Sequence, residues 1–371
     1  MNDPFRVMIV DDSAVIRGLL KRALESDPAV TVITSVSNGQ QALTAVVKHD
    51  VEIIVLDIEM PVMDGMTALP LLLKAKPGVQ VIMASTLTRQ NAEISLRAMT
   101  DGAADYVTKP SSTSEIHSAD SFKHELVGKI KALAEAGRGG RRQIAARTSQ
   151  KPAVGAVPRK AGVAHAPANL KLRPAPAQMP DIIAIGSSTG GPQALFEVLG
   201  HIGADLKQPI LITQHMPATF TALLAEHIEK SSKIPASEAK DGDTIVPGHI
   251  YVAPGDHHMT VERGKTGNII KLNTDQPENF CRPAVDPMLR SMAKIYGSRM
   301  LVVILTGMGA DGQKGAAMAV DAGASVIAQD EATSVVWGMP GAVATAGLCS
   351  AILPLPEIAP YVRKLAMRTA A

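Results

Sequence analysis

Short apolar runs alternate with longer amphipathic segments over the first third of the chain. The runs are rich in β-branched residues, which is typical of buried strands, whereas the segments repeat apolar residues every three or four positions, as helices do. The predicted strands are residues 5–10, 30–36, 53–57, 79–85 and 104–108, and the predicted helices are residues 13–25, 39–49, 64–75, 90–100 and 114–136. Five such units in succession predict a parallel sheet with helices on both faces.

The same alternation returns after residue 181. Strands are predicted at residues 182–185, 209–214, 249–252, 300–306 and 325–328, and helices at residues 192–199, 219–228, 285–296 and 313–322. The chain is therefore expected to contain two α/β domains, each built on a parallel sheet. In such sheets, the side chains that bind ligands follow the carboxyl ends of the strands.

The segment between the two regions differs in composition. Residues 138–180 contain nine Lys or Arg and no Asp or Glu, and Ala, Gly and Pro dominate. Such a segment buries too little apolar surface to offset the entropy lost on ordering, which predicts a flexible basic linker. It has no interleaved aromatic residues for base stacking, which argues against a nucleic-acid partner. The predicted domains are residues 1–136 and 181–371, joined by a linker at 137–180.

Composition narrows the class of protein. The 371 residues are 46% hydrophobic and 19% charged, with a formal net charge of +2, as in globular proteins without general affinity for nucleic acid. No apolar stretch approaches the ~20 residues of a membrane span, and the first residues lack a signal-peptide pattern, so a cytoplasmic protein without membrane insertion is expected. Cys281 and Cys349 are too few for a disulfide framework and are interpreted as small buried residues.

Polar residues stand at the ends of four strands of the first region. Asp57 ends the run at 53–57, and Asp11 and Asp12 follow the first strand. Three converging carboxylates repel one another unless a cation lies among them, and hard oxygen ligands suit Mg²⁺. Lys109 and Ser85 end two further strands and are placed to meet phosphoryl oxygens. Taken alone, Asp12 is equally well explained as a helix cap or a solvated loop residue.

This pattern resembles the receiver domain of two-component response regulators, over residues 5–130. The loop at residues 60–65 matches the one that follows the acceptor in that family. The resemblance implies a flavodoxin-like fold in which Asp57 is phosphorylated by a histidine kinase in the presence of Mg²⁺. It places the metal ligands at Asp11, Asp12, Asp57 and the backbone of Glu59, and the switch positions at Ser85, Tyr106 and Lys109.

A nucleophile motif opens the second region. Residues 186–190 fit G-x-S-x-G between a predicted strand and a predicted helix, the context of a nucleophile elbow. Ser188 lies at the centre of the motif and is favoured over its neighbour Ser187. A phosphate-binding loop is the alternative, but the motif lacks the closing Gly-Lys-Ser/Thr, and residues 186–191 do not fit G-x-G-x-x-G.

A serine nucleophile needs a base and a group that orients the base. His215 follows the strand at 209–214, and Asp311 lies in a glycine-rich loop after the strand at 300–306. Three strand ends of one sheet thus supply a candidate triad. His257 and His258 are alternative bases, of which at most one faces the site because adjacent residues of an extended segment point to opposite faces. Asp286 is an alternative acid, but its place at a helix start favours capping.

Five segments of the second region resemble the bacterial chemotaxis protein-glutamate methylesterase family, over residues 181–365. They are residues 185–191, 213–217, 251–256, 282–286 and 305–312. The resemblance implies a doubly wound, Rossmann-like hydrolase domain without a cofactor. It assigns Ser188, His215 and Asp311 as catalytic residues and the backbone N–H groups of Thr189 and Met308 as oxyanion donors. Ser187 and Ala284 depart from that pattern, where Ala and Ser are expected.

The combined resemblance implies an enzyme regulated by phosphorylation of its own receiver domain. Its expected reaction is demethylation of glutamate methyl esters on methyl-accepting chemoreceptors, with deamidation of receptor glutamines by the same machinery. The expected kinase is the chemotaxis histidine kinase. The unphosphorylated receiver is expected to pack against the catalytic face and block receptor access, and phosphorylation is expected to weaken that packing. Two alternatives stay open, a receiver joined to a non-catalytic adaptor and the same esterase chemistry in a system other than chemotaxis.

Overall fold

The computed structural model describes residues 3–86, 88–109, 116–149, 170–175 and 178–367 and divides the chain into two units, residues 1–162 and 163–371. Within those ranges, none of the helices combines the length and the apolar character that a membrane span requires. The strands of the first unit are β1 Phe5–Val10, β2 Val30–Val36, β3 Ile53–Asp57, β4 Gln80–Ser85 and β5 Asp105–Thr108. Its helices are α1 Ala14–Glu25, α2 Gly39–Lys48, α3 Gly65–Ala75, α4 Arg89–Thr100 and α5 Ile116–Ser149.

The first sheet has the strand order β2-β1-β3-β4-β5, and every pair is parallel. This is the flavodoxin-like order expected for the first domain. All of β3 is buried, because helices cover both faces of the central strand. Four helices begin at a polar side chain that accepts the N–H three residues further on, a local signal that fixes where each helix starts. These capping residues are Ser13, Asn38, Asp64 and Thr88.

Helix α5 continues to Ser149, so its predicted end at residue 136 was wrong. Arg138 explains the first part of the extension. Its guanidinium donates to both carboxylate oxygens of Glu52 at 2.7 and 2.8 Å and to the carbonyl oxygens of Asp3 and Pro4. It also lies 4.4 Å from the ring centroid of Phe5. These contacts bind the helix to the amino-terminal ends of β1 and β3, within a segment whose composition had predicted a linker.

Replacing Arg138 by alanine is expected to destabilise the first unit by about 2 kcal/mol, because it leaves a nearly buried carboxylate at Glu52 with fewer partners. Arg6 still contacts that carboxylate, which limits the loss. Hydrogen exchange of the amides in β1 and β3 measures the effect, since their exchange reports opening of this unit. Arg22→Ala, at an exposed position of α1, is the control and should leave exchange unchanged. Equal effects of the two variants would contradict this account of α5.

The second unit contains a larger sheet and a separate hairpin. Its strands are β6 Ile182–Ser187, β7 Ile210–Gln214, β8 Ala236–Glu238, β9 Ile250–Val252, β10 His258–Arg263, β11 Asn268–Asn273, β12 Met300–Ile304, β13 Ser325–Gln329 and β14 Ala351–Leu353. Its helices are α6 Gly191–His201, α7 Ala218–Ser232, α8 Val285–Tyr296, α9 Gln313–Asp321, α10 Gly338–Thr345 and α11 Leu355–Ala366, with a 3₁₀ turn at Gly297–Arg299.

The large sheet has the order β14-β13-β12-β6-β7-β9-β8, all parallel, and β10 pairs with β11 antiparallel. From β6 the chain moves outward through β7 and later returns to β12 on the other side. The doubly wound sheet predicted for this domain is thereby confirmed. The strand order changes direction between β6 and β12, and in doubly wound sheets ligands bind at this switch point, beyond the carboxyl ends of the strands.

The start of the second unit lies within the predicted linker. Leu170 packs against the core of this unit, and the backbone N–H of Arg173 donates to the Cys349 carbonyl oxygen at 2.8 Å. Leu170 and Arg173 therefore contact the second unit. Residues 150–169 and 176–177 of the predicted linker lie outside the described residues.

Candidate active site

The centre of the second sheet brings two predicted site residues to adjacent strand ends. Ser187 and Gln214 are paired at the ends of β6 and β7, and the N–H of His215 donates to the Ser187 carbonyl oxygen at 3.2 Å. Ser188 and His215 are the next residues, so they leave strands that run about 5 Å apart. Ser188 and His215, the residues predicted to exchange a proton, thus follow the carboxyl ends of neighbouring strands.

Gln214 distinguishes the two candidate serines. Its Oε1 accepts a hydrogen bond from Ser187 Oγ at 2.6 Å, and its Nε2 donates to the Ser188 carbonyl oxygen at 2.9 Å. Ser187 is fully buried, whereas Ser188 is half-buried. The hydroxyl of Ser187 therefore supports the turn, and the accessible hydroxyl belongs to Ser188.

Two glycines give the turn its shape. Gly190 has a φ of 75°, in the left-handed region that favours glycine, and it stands at the start of α6. A Cβ at Gly191 would lie 1.9 Å from Gln214 Oε1, so a larger residue would displace the side chain that braces the turn. The sharp strand–turn–helix geometry of a nucleophile elbow is present.

Asp311 is the centre of a hydrogen-bond network. Its carboxylate accepts from His215 Nε2 (2.7 Å), Asn279 Nδ2 (2.9 Å) and the backbone N–H groups of Val285 (2.6 Å), Asp286 (3.1 Å) and Gly312 (2.9 Å). Val285 begins α8, so the positive end of that helix faces the carboxylate. Burial opposes ionisation of Asp311, but the bonds to His215 and the α8 backbone outweigh it and lower the pKa of Asp311.

The second nitrogen of the imidazole faces a thiol. His215 Nδ1 lies 3.3 Å from Cys281 Sγ, and among the described residues no hydrogen bond joins His215 to the Ser188 hydroxyl. Cys281 is half-buried, so its interpretation as a small buried residue was wrong, whereas that interpretation is confirmed for Cys349. Burial disfavours the imidazolium, but the neighbouring Cys281 and the hydrogen bond to Asp311 outweigh it and raise the pKa of His215.

This raised pKa predicts the pH dependence of hydrolysis. A general base must be unprotonated, so activity should increase as pH rises through the pKa of the free enzyme's base. Because the pKa of His215 lies above its usual 6.5, kcat/KM should be low at pH 6.5 and continue to rise above it. A pH–rate profile of methyl ester hydrolysis checks this expectation. If kcat/KM already reached its plateau below pH 6.5, the partners of His215 would not raise its pKa in the free enzyme.

The alternative candidates have other partners. His258 is buried, and its Nδ1 accepts the backbone N–H of Ala284 at 3.1 Å, while His257 contacts a carbonyl oxygen two residues before it. Asp286 accepts the N–H of Gly315 at 2.6 Å, in the first turn of α9. It thus caps a neighbouring helix rather than its own helix α8, which corrects the capping role predicted from its position.

The predicted oxyanion donors lie in the elbow itself, at Thr189, and in the loop after β12, at Met308. The N–H of Ser188 donates to the Thr306 carbonyl oxygen at 3.0 Å, and a Cβ at Gly307 would lie 2.9 Å from Ser188 Cβ. The loop after β12 therefore runs directly against the serine. Within the part of the chain that the structure describes, the N–H groups of Thr189 and Met308 donate to no protein acceptor. No protein group therefore occupies either N–H, as the predicted role of oxyanion donor requires.

The carboxyl edge of the first sheet carries the predicted acidic cluster. Carboxylate oxygens of Asp11, Asp12 and Asp57 all lie within 4.8 Å of one another, and Lys109 Nζ lies 2.6 Å from both Asp11 and Asp57. Three hard oxygen donors around one point fit Mg²⁺. Burial raises the pKa of Asp57, and the hydrogen bond from Lys109 opposes that rise.

The remaining predicted receiver residues occupy neighbouring positions. Ser85 ends β4 and accepts a hydrogen bond from Ser95 Oγ at 3.2 Å. Tyr106 is buried in β5, and Lys129 Nζ lies 4.9 Å from its ring centroid. Glu59 is exposed after β3 and lines the same pocket as Asp12. The strand ends that carry the predicted receiver residues therefore lie together at the carboxyl end of the first sheet.

Two residues of the second site escaped prediction. Asn279 donates to Asp311, and Cys281 faces His215. Residues 278–281 have no periodic pattern, and their position just before the segment at 282–286 is the one sequence signal that could have drawn attention to them.

Comparisons with known proteins match both regions of the chain. Family models match a response regulator receiver domain at residues 7–120 and a CheB methylesterase at residues 183–362. The chain is 59% identical to a protein-glutamate methylesterase/protein-glutamine glutaminase of group 2 operon from Rhodospirillum centenum, over 100% of this chain and 96% of the relative. The chain belongs to the protein-glutamate methylesterase/protein-glutamine glutaminase family. A relative of that name from Azospirillum brasilense is also 59% identical, over 99% of this chain and 94% of the relative.

One solved structure is similar to about half of this chain. The crystal structure of the Thermotoga maritima CheB methylesterase catalytic domain is 39% identical and covers 51% of this chain and 99% of that chain, with a TM-score of 0.49. Membership of the family identifies the chain as an enzyme with a receiver domain rather than a non-catalytic adaptor.

Proposed function

We propose that this chain hydrolyses γ-glutamyl methyl esters, and deamidates glutamines, on the cytoplasmic helices of methyl-accepting chemoreceptors. The observation that carries the proposal is the 2.7 Å bond between His215 and Asp311, beside the elbow that presents Ser188. The reaction needs no cofactor in the second domain, since the nucleophile, base, acid and oxyanion donors are all protein groups. We place the enzyme in the cytoplasm, where it meets its receptor.

In the proposed mechanism, Ser188 Oγ attacks the ester carbonyl carbon. His215 removes the serine proton through Nδ1, the nitrogen not held by Asp311, and then donates it to the leaving methanol. Asp311 keeps the imidazole oriented and stabilises its charged form. The N–H groups of Thr189 and Met308 bind the oxyanion, with each donor contributing roughly 3 kcal/mol to the transition state. Water then hydrolyses the acyl-enzyme by the same route.

The receiver domain controls this reaction in our proposal. Asp57 accepts a phosphoryl group from a chemotaxis histidine kinase, and Asp11, Asp12, Asp57 and the backbone of Glu59 would hold Mg²⁺. The metal, when bound, neutralises charge on the phosphoryl oxygens. Lys109, 2.6 Å from Asp57, is placed to bind one of those oxygens. The unphosphorylated receiver restrains the esterase, and phosphorylation releases it, with Ser85 and Tyr106 relaying the change.

Methanol release from methyl-esterified receptor membranes tests the function. The full chain should release methanol slowly alone and faster with Mg²⁺ and acetyl phosphate as phosphodonor. A chain that releases no methanol under either condition would contradict the esterase. Equal rates under both conditions would retain the esterase but contradict control by the receiver.

Replacing Asp57 by asparagine should abolish phosphorylation, because the amide cannot act as the acceptor nucleophile. Intact-mass measurement after acetyl phosphate treatment should show one added phosphoryl group on the wild type and none on the variant. Asp64→Asn is the control, since Asp64 is an exposed acid that caps α3 on the same edge and asparagine preserves that cap. A phosphoryl group on Asp57→Asn would place the acceptor elsewhere.

A further inference from the structure

Cys281 is a nucleophilic side chain that the proposed mechanism does not use. Its Sγ lies 3.3 Å from His215 Nδ1, on the nitrogen that Ser188 requires. The chain has one other cysteine, Cys349, which is 1% exposed and whose pKa is raised to about 12 by burial. The two thiols therefore differ in access and in partners.

The loop that carries Cys281 is built into the site. Glu278 and Cys281 exchange backbone hydrogen bonds at 3.1 and 2.9 Å, which closes the turn between them. The two residues inside that turn, Asn279 and Phe280, have left-handed backbones with φ of 52° and 63°. The Asn279 side chain donates to Asp311 at 2.9 Å, so the turn is anchored to the carboxylate that also holds the imidazole.

Cys281, His215 and Asp311 form a continuous row of nucleophile, base and acid. Such a row activates a cysteine because the imidazole accepts the thiol proton and the carboxylate stabilises the imidazolium. We propose that Cys281 is a modification site for soft electrophiles, and that an adduct on its sulfur stops hydrolysis by separating His215 from Ser188. The second half of this proposal rests on the proposed function.

A maleimide illustrates the chemistry. The thiol proton passes to His215 Nδ1, and the sulfur adds to one alkene carbon, so that an S–C bond forms as the C=C π bond opens. The other carbon takes up the proton from the imidazolium, and nothing leaves. The product is a thioether whose ring lies against the imidazole, where the serine hydroxyl must approach.

The labelling experiment needs no esterase assay. The full chain is treated with N-ethylmaleimide at pH 7, and the adduct is located by peptide mass mapping. Label should appear at Cys281 before Cys349, and labelling of Cys281 should be about tenfold slower in His215→Gln, where no imidazole accepts the proton. Faster labelling of Cys349, or equal rates at Cys281 in wild type and His215→Gln, would overturn the reactive thiol.

The activity experiment tests the block. Wild type should lose methanol release in step with the adduct at Cys281, and Cys349→Ser should lose it equally. Cys281→Ser should keep its own untreated rate after exposure to the reagent. A fully labelled wild type that still releases methanol at its untreated rate would overturn the inference, whereas untreated wild type that releases none would overturn the proposed function instead.

Discussion

Replacing Ser188 by alanine is expected to lower kcat for methyl ester hydrolysis by a factor on the order of 10⁶, since loss of the nucleophile alone removes the benefit of the base and acid that act on it. The residual rate should come from the oxyanion donors and from substrate binding. The fold should be retained, because the Ser188 hydroxyl is half-buried and braces no other group among the described residues. Methanol release from methyl-esterified receptor membranes measures the effect.

Ser187→Ala is the matched control for this substitution. It removes a buried hydroxyl that donates to Gln214, so we expect a stability loss of about 1 kcal/mol with the nucleophile intact. An inactive Ser187→Ala together with an active Ser188→Ala would reverse the assignment of the two serines.

Replacing Asp311 by asparagine is expected to lower kcat by a factor of about 10⁴, because the neutral amide no longer stabilises the imidazolium or fixes the correct tautomer of His215. Stability should also fall. Both carboxylate oxygens accept backbone N–H groups, Val285 on one and Gly312 on the other. An amide nitrogen would face one of these donors and leave it unpaired, at about 1–3 kcal/mol.

Asp286→Asn separates the catalytic loss from the structural one. Asp286 is equally buried and accepts the N–H of Gly315 and a bond from Asn279, but it makes no hydrogen bond to His215. It should lose stability on a similar scale while keeping most of its kcat. A decrease in kcat as large as that of Asp311→Asn would mean that Asp311 acts through the fold rather than through the imidazole.

The sheets were predictable because parallel strands buried on both faces give continuous apolar runs. The bounds of β1, β2 and β3 match the prediction residue for residue. The strand ends then located the acidic cluster in the first sheet and Ser188 and His215 in the second, since the parallel topology of each sheet places its strand ends on one side. By contrast, the prediction missed β8 and β14, the two edge strands of the large sheet, and the β10–β11 hairpin, which lies outside that sheet.

The parts that were missed depend on tertiary contacts between distant segments. The contact of Arg138 with Glu52, 86 residues away, stabilises the extension of α5. The composition of residues 138–180 does not reveal that partner. Cys281 reaches His215 across 66 residues through a turn with two left-handed residues that are not glycine. Neither contact leaves a periodic signal, so each could be found only from the folded arrangement.

Covalent trapping of the nucleophile tests the central claim most directly. The full chain is treated with a fluorophosphonate, which reacts with activated serines, and the modified residue is identified by peptide mass mapping alongside loss of methanol release. We predict one adduct, on Ser188, that forms in parallel with inactivation and does not form on Ser188→Ala. An inactivating adduct on Ser187 or Cys281, with Ser188 unmodified, would contradict the account.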